Sequence, residues 1–447
     1  MNPIEQVLPT TSEHATTKAR NLYRKVIWRL MPYLLIAFVF NAIDRINLSF
    51  AKLNMAADIG LSDAAYGIGA GIFYLGYILF EIPSNLYMQR VGARATLTRI
   101  MVLWGLITVA IAFVTTPNQL IAVRFLLGAA EAGFFAGVIL YLTYWFPSAL
   151  RGRITAIFYM SALVAGIISG PLAGWIMTSF NGWMGLRDWQ VLFVLEGIPA
   201  VLLGLFGWFW LTDKPSQATW LSDSEKQAII RAVEVEPAKS SARGGFSEVL
   251  RDPRVYIAGL TFFFINCGSH TVSYWMPTLI RGFGVEDMKT IGMLSSLPFI
   301  GALCGMYLLA RSSDKRQERR WHVGLTMLAS AISFFLLGFA QASLPLTVLL
   351  LSLGAATTFS AISLFWTIPP ALLTPAKAAG GIALISTMGN FAGVVSQMAV
   401  GAIKSATGNL YMAFDVIAAV LVIGALLLLI AIPAHCLEAR RPGTGAD

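Results

Sequence analysis

Apolar runs long enough to cross a bilayer alternate with short polar breaks along nearly the whole chain. The first six lie at roughly 30–51, 66–88, 98–116, 119–143, 154–177 and 189–211. After a polar stretch over 212–253, six more follow at roughly 255–278, 290–310, 322–341, 345–368, 379–403 and 410–433. About 20 helical residues cross the hydrocarbon layer. The pattern therefore predicts an all-α membrane protein with twelve transmembrane helices in two pseudo-symmetric six-helix bundles. The expected divisions are a tail over 1–29, bundles over 30–211 and 254–433, a linker over 212–253 and a second tail over 434–447. An internal repeat supports two halves: "PSALRGRITAI" (147–157) lies over "PAKAAGGIALI" (375–385), aligning Pro147 with Pro375, Gly152 with Gly380, and Ile154 and Ile157 with Ile382 and Ile385.

Composition strengthens this picture. The 447 residues are 57% hydrophobic and only 12% charged, against about 25% charged in a soluble domain. The net charge of +9 reads as membrane topology rather than nucleic-acid binding, because basic residues gather in cytoplasmic loops. With both termini cytoplasmic, most of the 32 Lys and Arg fall inside. Lys52, Arg187, Arg281, Lys289 and Lys404 are expected outside, and Arg45 and Arg124 within spans. No cleavable signal segment is visible. Cys267 and Cys304 lie in apolar segments and Cys436 in the tail, so no disulfide is expected. In the linker, "LSDSEKQAIIRAV" predicts a short amphipathic helix capped by Ser222 or Ser224, and "KSSARGG" a flexible segment. The glycines of "GAGIFYLG" sit inside a helix with no GKS or GKT after them, so an ATP-driven pump is disfavoured. No metal-ligand cluster or nucleophile–base constellation is present, so neither an enzyme nor a bound cofactor is expected.

Charges inside apolar runs carry the functional signal. A central Arg or Asp costs about 2.5–3.5 kcal/mol on insertion scales, so it faces a cavity or a partner. The set is Asp44, Arg45, Glu81, Arg124, Glu131, Glu196, His270 and Asp415, concentrated in the first half. Arg45, in "FNAIDRINLSFA", either receives a substrate carboxylate or pairs structurally with Glu131 or Asp44. Arg124 and Glu131 are seven residues apart and share a helical face. Glu131 is either a proton carrier or a permanently paired structural carboxylate, and Asp44 either a secondary protonation site or a residue with another partner. Glu81 reads as gating or structural, tying the loop between spans 2 and 3 to another helix. Glu196 reads as structural and His270 as a satisfied core residue. The second half offers neutral groups: Asn266, Ser269, His270, Ser363, Trp366, Asn390 and Gln397. Ser363 and Trp366 share a face. With Asn390 and with Tyr74 or Tyr77 they form either the wall of a substrate pocket or ordinary packing.

These stretches resemble the major facilitator superfamily, and within it the anion:cation symporter family. The resemblance rests on "DRINLSFA" (44–51), "EIPSNLYMQRVGAR" (81–94), "RFLLGAAEAGFFAG" (124–137), "YWFPSALRGR" (144–153), "WLTDKPSQATWLSDSEK" (210–226), "RSSDKRQERRWH" (311–322) and "GGIALISTMGN" (380–390). It covers nearly the whole chain and is nearest to the bacterial tartrate, phthalate and 4-hydroxyphenylacetate permeases. "SAISLFWTIP" and "SSDKRQERRWH" look most like the last of these. The resemblance implies a proton-driven symporter of small organic carboxylates in the bacterial inner membrane, monomeric, working by alternating access. A proton-free exchanger or facilitator is the alternative, and a membrane sensor a remote one. Arg45 would engage the carboxylate, Asp44 and Glu131 would couple protons, and Ser363, Trp366 and Asn390 would line the pocket. Arg90 and Arg94 belong to the loop 2–3 motif, which lacks its usual acid and has Asn85 or Gln89 in that region; Asp314 keeps the acid in loop 8–9. Ala136 stands where the span-4 motif has proline, which implies a straighter helix. Ala162 stands where some sugar-acid relatives have glutamine, which favours a less polar acid.

Overall fold

The computed structural model describes residues 13–234 and 246–432. The first part of the N-terminal tail, "KSSARGG", the tail over 434–447 and Cys436 lie outside these residues. Among the described residues every regular element is a helix. Twelve of them, one counted across a break in span 4 and one across a break in span 10, are long and apolar enough to cross a membrane.

In chain order the first half contains α1 (Glu13–Ile59), α2 (Asp63–Val91), α3 (Ala93–Ile111), α4 (Pro117–Glu131), α5 (Phe134–Trp145), α6 (Ser148–Ser179) and α7 (Asp188–Trp210). The linker carries α8 (Asp223–Glu234) and α9 (Phe246–Leu250). The second half contains α10 (Pro253–Arg281), α11 (Met288–Arg316), α12 (Arg320–Leu336), α13 (Leu344–Phe365), α14 (Pro369–Leu372), α15 (Pro375–Thr407) and α16 (Leu410–Ala431). The two repeat segments both open long helices: Pro147 precedes the 32-residue α6, and Pro375 begins the 33-residue α15.

Helix starts are written locally. Thr116 caps α4 ahead of Pro117, and Asp252 caps α10 ahead of Pro253. Each side chain accepts an orphan backbone N–H, while proline takes a first-turn position that needs no donor. Asp287 and Asn409 cap α11 and α16 in the same way. The cap of α8 is Ser222: its hydroxyl accepts Glu225 N–H at 3.3 Å, and its own N–H donates to Glu225 Oε2 at 2.8 Å.

The chain divides into two compact units, Met1–Ile59 with Leu75–Ser240 and Gly60–Tyr74 with Ser241–Asp447. The stretch over 30–211 is thus interrupted, because Gly60–Tyr74 packs within the second unit. A Cβ on Gly67 would lie 2.4 Å from the Gln397 carbonyl, so only glycine lets α2 and α15 approach this closely. In the first unit α3 and α7 cross with Gly105 against Gly197. In the second, α11 meets α13 through Gly301 and Gly305, against Ser352 and Ala356.

Two sequence expectations change. Lys52 does not lie in a loop: α1 continues to Ile59, where Gly60 ends it with φ +66°, and Lys52 is buried inside it. Nor is span 4 straightened by the missing proline. It breaks at Ala132 and Gly133, where Gly133 adopts φ +85°. A Cβ there would lie 2.7 Å from the Ser84 side chain, so glycine supplies both the left-handed turn and the room.

Candidate functional site

The ionic site belongs to the first unit. Asn41 and Arg45 are four residues apart on α1 and so share a face. Asn41 Nδ2 donates to Glu131 Oε2 at 2.8 Å, and Arg45 Nε donates to the same oxygen at 2.9 Å. Glu131 is the last residue of α4 and wholly buried, whereas the Arg45 side chain is 25% exposed. The Arg45 guanidinium also lies over the Tyr77 ring, 4.9 Å from its centroid, a cation–π contact. Glu81 lies close enough for its charge to act on both Arg45 and Tyr77.

Asp44, adjacent to Arg45 in sequence, looks elsewhere. Its Oδ1 accepts the Thr108 hydroxyl of α3 at 2.7 Å. It is buried within the fields of Glu131 and Arg124, and Arg124 is itself fully buried. One oxygen of each carboxyl, Asp44 Oδ2 and Glu131 Oε1, is buried without a hydrogen-bond partner. Glu196 of α7 completes the group, buried and within the field of Asp44. Three carboxyls thus share a dry interior with two guanidiniums. With all five groups ionised, the arrangement carries one more negative than positive charge.

The sequence model of the Major Facilitator Superfamily matches residues 34–397. The chain belongs to that superfamily. NicT of Pseudomonas putida, a protein named for metabolite transport, is 41% identical over 94% of this chain and 95% of its own. A protein of Agrobacterium vitis named for tartrate transport is 38% identical over 91% of this chain and 94% of its own. The inner membrane transport protein RhmT of Escherichia coli K12 is 36% identical over 83% of this chain and 86% of its own. Among solved structures, the inward open xylose transporter XylE from E. coli shares the fold at a TM-score of 0.72 with 16% identity, covering 90% of this chain and 96% of that one. This Major Facilitator Superfamily protein is a multi-pass membrane transporter and not an enzyme.

In this transporter the second unit carries no comparable ionic cluster among its described residues. Tyr74 hydroxyl and His270 Nδ1 are 3.0 Å apart, and their rings pack at 4.6 Å. Trp366 stands at the end of α13, which stops before Pro369 and Pro370, and packs edge-on against Phe262 at 4.8 Å. Ser363, three residues earlier, and Asn390 on α15 are both half-buried. Gly389, next to Asn390, lies against Phe262 and Asn266. Trp366, Asn266 and the backbone beside Asn390 therefore all gather around Phe262. Gln397 Oε1 is taken by the Trp275 indole at 2.9 Å.

The loop residues separate. Asp314 sits on the last turn of α11 and pairs with Arg319 at 2.5 Å. Arg90 is exposed, while the Arg94 backbone N–H donates to Asp213 Oδ1 at 2.8 Å. The Arg94 guanidinium lies over Trp208 at 4.7 Å. Asp213, from the end of span 6, thus brings an acid to the loop 2–3 motif. Three contributors escaped the sequence reading: Asn41, Thr108 and Asp213. Asn41 carried a signal, since it precedes Arg45 by one turn. Asp213 lay within the quoted "WLTDKP", but nothing local pointed it at Arg94. A threonine inside an apolar helix gives no signal at all.

Proposed function

We propose that this transporter takes up a small organic carboxylate together with protons across the bacterial inner membrane, by alternating access. One observation carries the reading: a single oxygen of buried Glu131 holds both Asn41 and Arg45. A substrate carboxylate reaching the partly exposed Arg45 competes for the same guanidinium, whose planar fork suits bidentate pairing. Glu131, losing Arg45 in a dry site, is then left as an uncompensated buried charge and takes a proton. Binding of the anion and binding of the proton thereby favour one another. Asp44 is the second carboxyl able to hold that proton. Tyr77 of the first unit, and Tyr74, Ser363, Trp366 and Asn390 of the second, are the neutral and aromatic residues assigned to substrate binding. The relative named for tartrate transport supports a carboxylate substrate. The aromatic groups suit 4-hydroxyphenylacetate or phthalate equally well. Arg124, Glu81, Arg90, Arg94 and Asp314 serve structure and gating. The protein works as a monomer with both termini cytoplasmic, driven by the proton gradient with no bound cofactor.

The test is uptake of labelled tartrate, phthalate and 4-hydroxyphenylacetate into proteoliposomes with an imposed pH gradient. At least one is expected to accumulate above equilibrium when the outside is acidic. A gradient of one pH unit sustains about a tenfold ratio per proton, since 1.4 kcal/mol is a factor of ten. Glu131→Gln is expected to exchange the same acid without accumulating it. Uptake indifferent to the gradient identifies a proton-free exchanger or facilitator and overturns the coupling.

A further inference from the structure

Glu196 has no part in the pair just described, yet its setting is stranger than theirs. It is 5% exposed, and both carboxyl oxygens are buried without a hydrogen-bond partner. Glu131 has Asn41 and Arg45, and Asp44 has Thr108. Glu196 has neither a donor nor a cation. An ionised carboxylate in that position would bear the full cost of burial without compensation.

The backbone explains how it comes to lie there. At the crossing of α3 and α7, a Cβ on Gly197 would lie 2.6 Å from the Gly105 carbonyl. The two helices touch through their backbones one residue after Glu196 and three residues before Thr108. This contact holds the α7 backbone next to Glu196 against α3. The charged group whose field reaches it is Asp44 of α1. From α3 the neighbours at the crossing are neutral, the Gly105 carbonyl and Val109. No charged side chain from α6 acts on it.

We propose that Glu196 is a third proton-holding carboxyl of the site, kept as the neutral acid. With both oxygens buried and unpartnered it keeps its proton, while Glu131 and Asp44 have donors that let them ionise. The assignment deepens the proton-coupled reading and rests on it only for the use made of the proton.

Infrared spectroscopy of the full-length protein in lipid reads that proton without substrate or gradient. The protonated-carboxyl C=O stretch is expected in the wild type near neutral pH, with a downshift in D2O. Glu196→Gln, nearly isosteric, is expected to lose one component of that band, and Glu196→Asp to restore one. Asp44→Asn leaves Glu196 intact and is expected to shift the frequency of its component, because the neighbouring charge is gone. An unchanged band in Glu196→Gln overturns the assignment, and an unshifted component in Asp44→Asn overturns its membership of the Asp44 group. If the component is present but uptake ignores the pH gradient, the proton store stands and the coupled reading fails.

Discussion

The two units solve the burial of polar groups in opposite ways. In the first, the fully or nearly buried set includes Asp44, Lys52, Arg124, Glu131 and Glu196. In the second, the described buried polar residues are hydroxyls and one amide, among them Thr261, Thr271, Ser333, Ser360 and Gln397. The hydroxyls mostly bond back along their own helix: Thr261 to Ile257 O, Thr271 to Cys267 O, Ser333 to Ala329 O and Ser360 to Ala356 O. A back-bonded hydroxyl makes no demand on the rest of the fold. The buried carboxylates instead take donors from other helices, Glu131 of α4 from α1 and Asp44 of α1 from α3. The first unit is therefore built around its charges, while the second is free to shape an uncharged surface.

The sharpest test of this contrast sets Arg45→Ala against Trp366→Ala. Removing Arg45 leaves Glu131 buried with only Asn41, at an expected cost of about 3 kcal/mol in stability. It should also raise KM for every carboxylate tested by about thirtyfold, the loss of one charge-assisted bond of about 2 kcal/mol. Trp366→Ala should instead alter which carboxylate is preferred, in competition assays among tartrate, phthalate and 4-hydroxyphenylacetate. Equal losses for all acids in both variants would erase the division between the units.

A second comparison uses the glycine crossings. Gly197→Ala and Gly305→Ala each place a Cβ against backbone, 2.6 Å from Gly105 O and 2.7 Å from Ala356 O. Each is expected to cost about 1–3 kcal/mol of overpacking, read as a lower thermal midpoint in detergent. Only the first should also disturb the carboxyl infrared band, since only it moves a carboxyl. A third pair, Thr108→Val and Thr271→Val, isolates the hydroxyl. The first strips a donor from Asp44 and should lower stability by about 1 kcal/mol. The second removes a bond to its own helix and should change the midpoint little.

The smallest effect lies at the surface. Lys25 of α1 pairs with Glu225 of α8 at 3.0 Å. Glu225 is held below its usual range first by the Ser222 backbone N–H and then by Lys25. Its contribution is present above the unfolded value of about 4.3 and is lost as pH falls through the lower folded value. For a pair this exposed, the loss on acidification is a few tenths of a kcal/mol. Lys25→Ala should remove part of the acid-side fall in thermal midpoint.

The spans were legible because lipid enforces long apolar runs, and the Arg45–Glu131 pair because few charges were available to match. What escaped was non-local or neutral. Asn41 and Thr108 carry no charge, and their roles depend on which helix faces them. The helix turns Asp44 away from Arg45, so another partner is expected from the sequence, but nothing local names Thr108 as that partner. The break after Glu131 lies away from Ala136, where the related motif has proline. Gly133 three residues earlier supplies the turn through its backbone freedom alone. Glu196 looked structural since nothing in "LEGIPA" hints that Gly197 will touch Gly105.

The bond from Arg94 N–H to Asp213 has a consequence for biogenesis. The start of α3 takes its acceptor from a residue 119 positions later, and Gly92, at φ +101°, leaves room for that carboxylate. A ribosome releases the third span long before it releases Asp213. Throughout that interval the first turn of α3 must be satisfied by water or lipid headgroups. The start of α3 therefore gains this restraint only after the final span of the first unit has emerged. Asp213→Asn would leave the spans able to insert but should slow the arrival of the protease-resistant state, measurable by pulse-labelling as the nascent chain leaves the translocon.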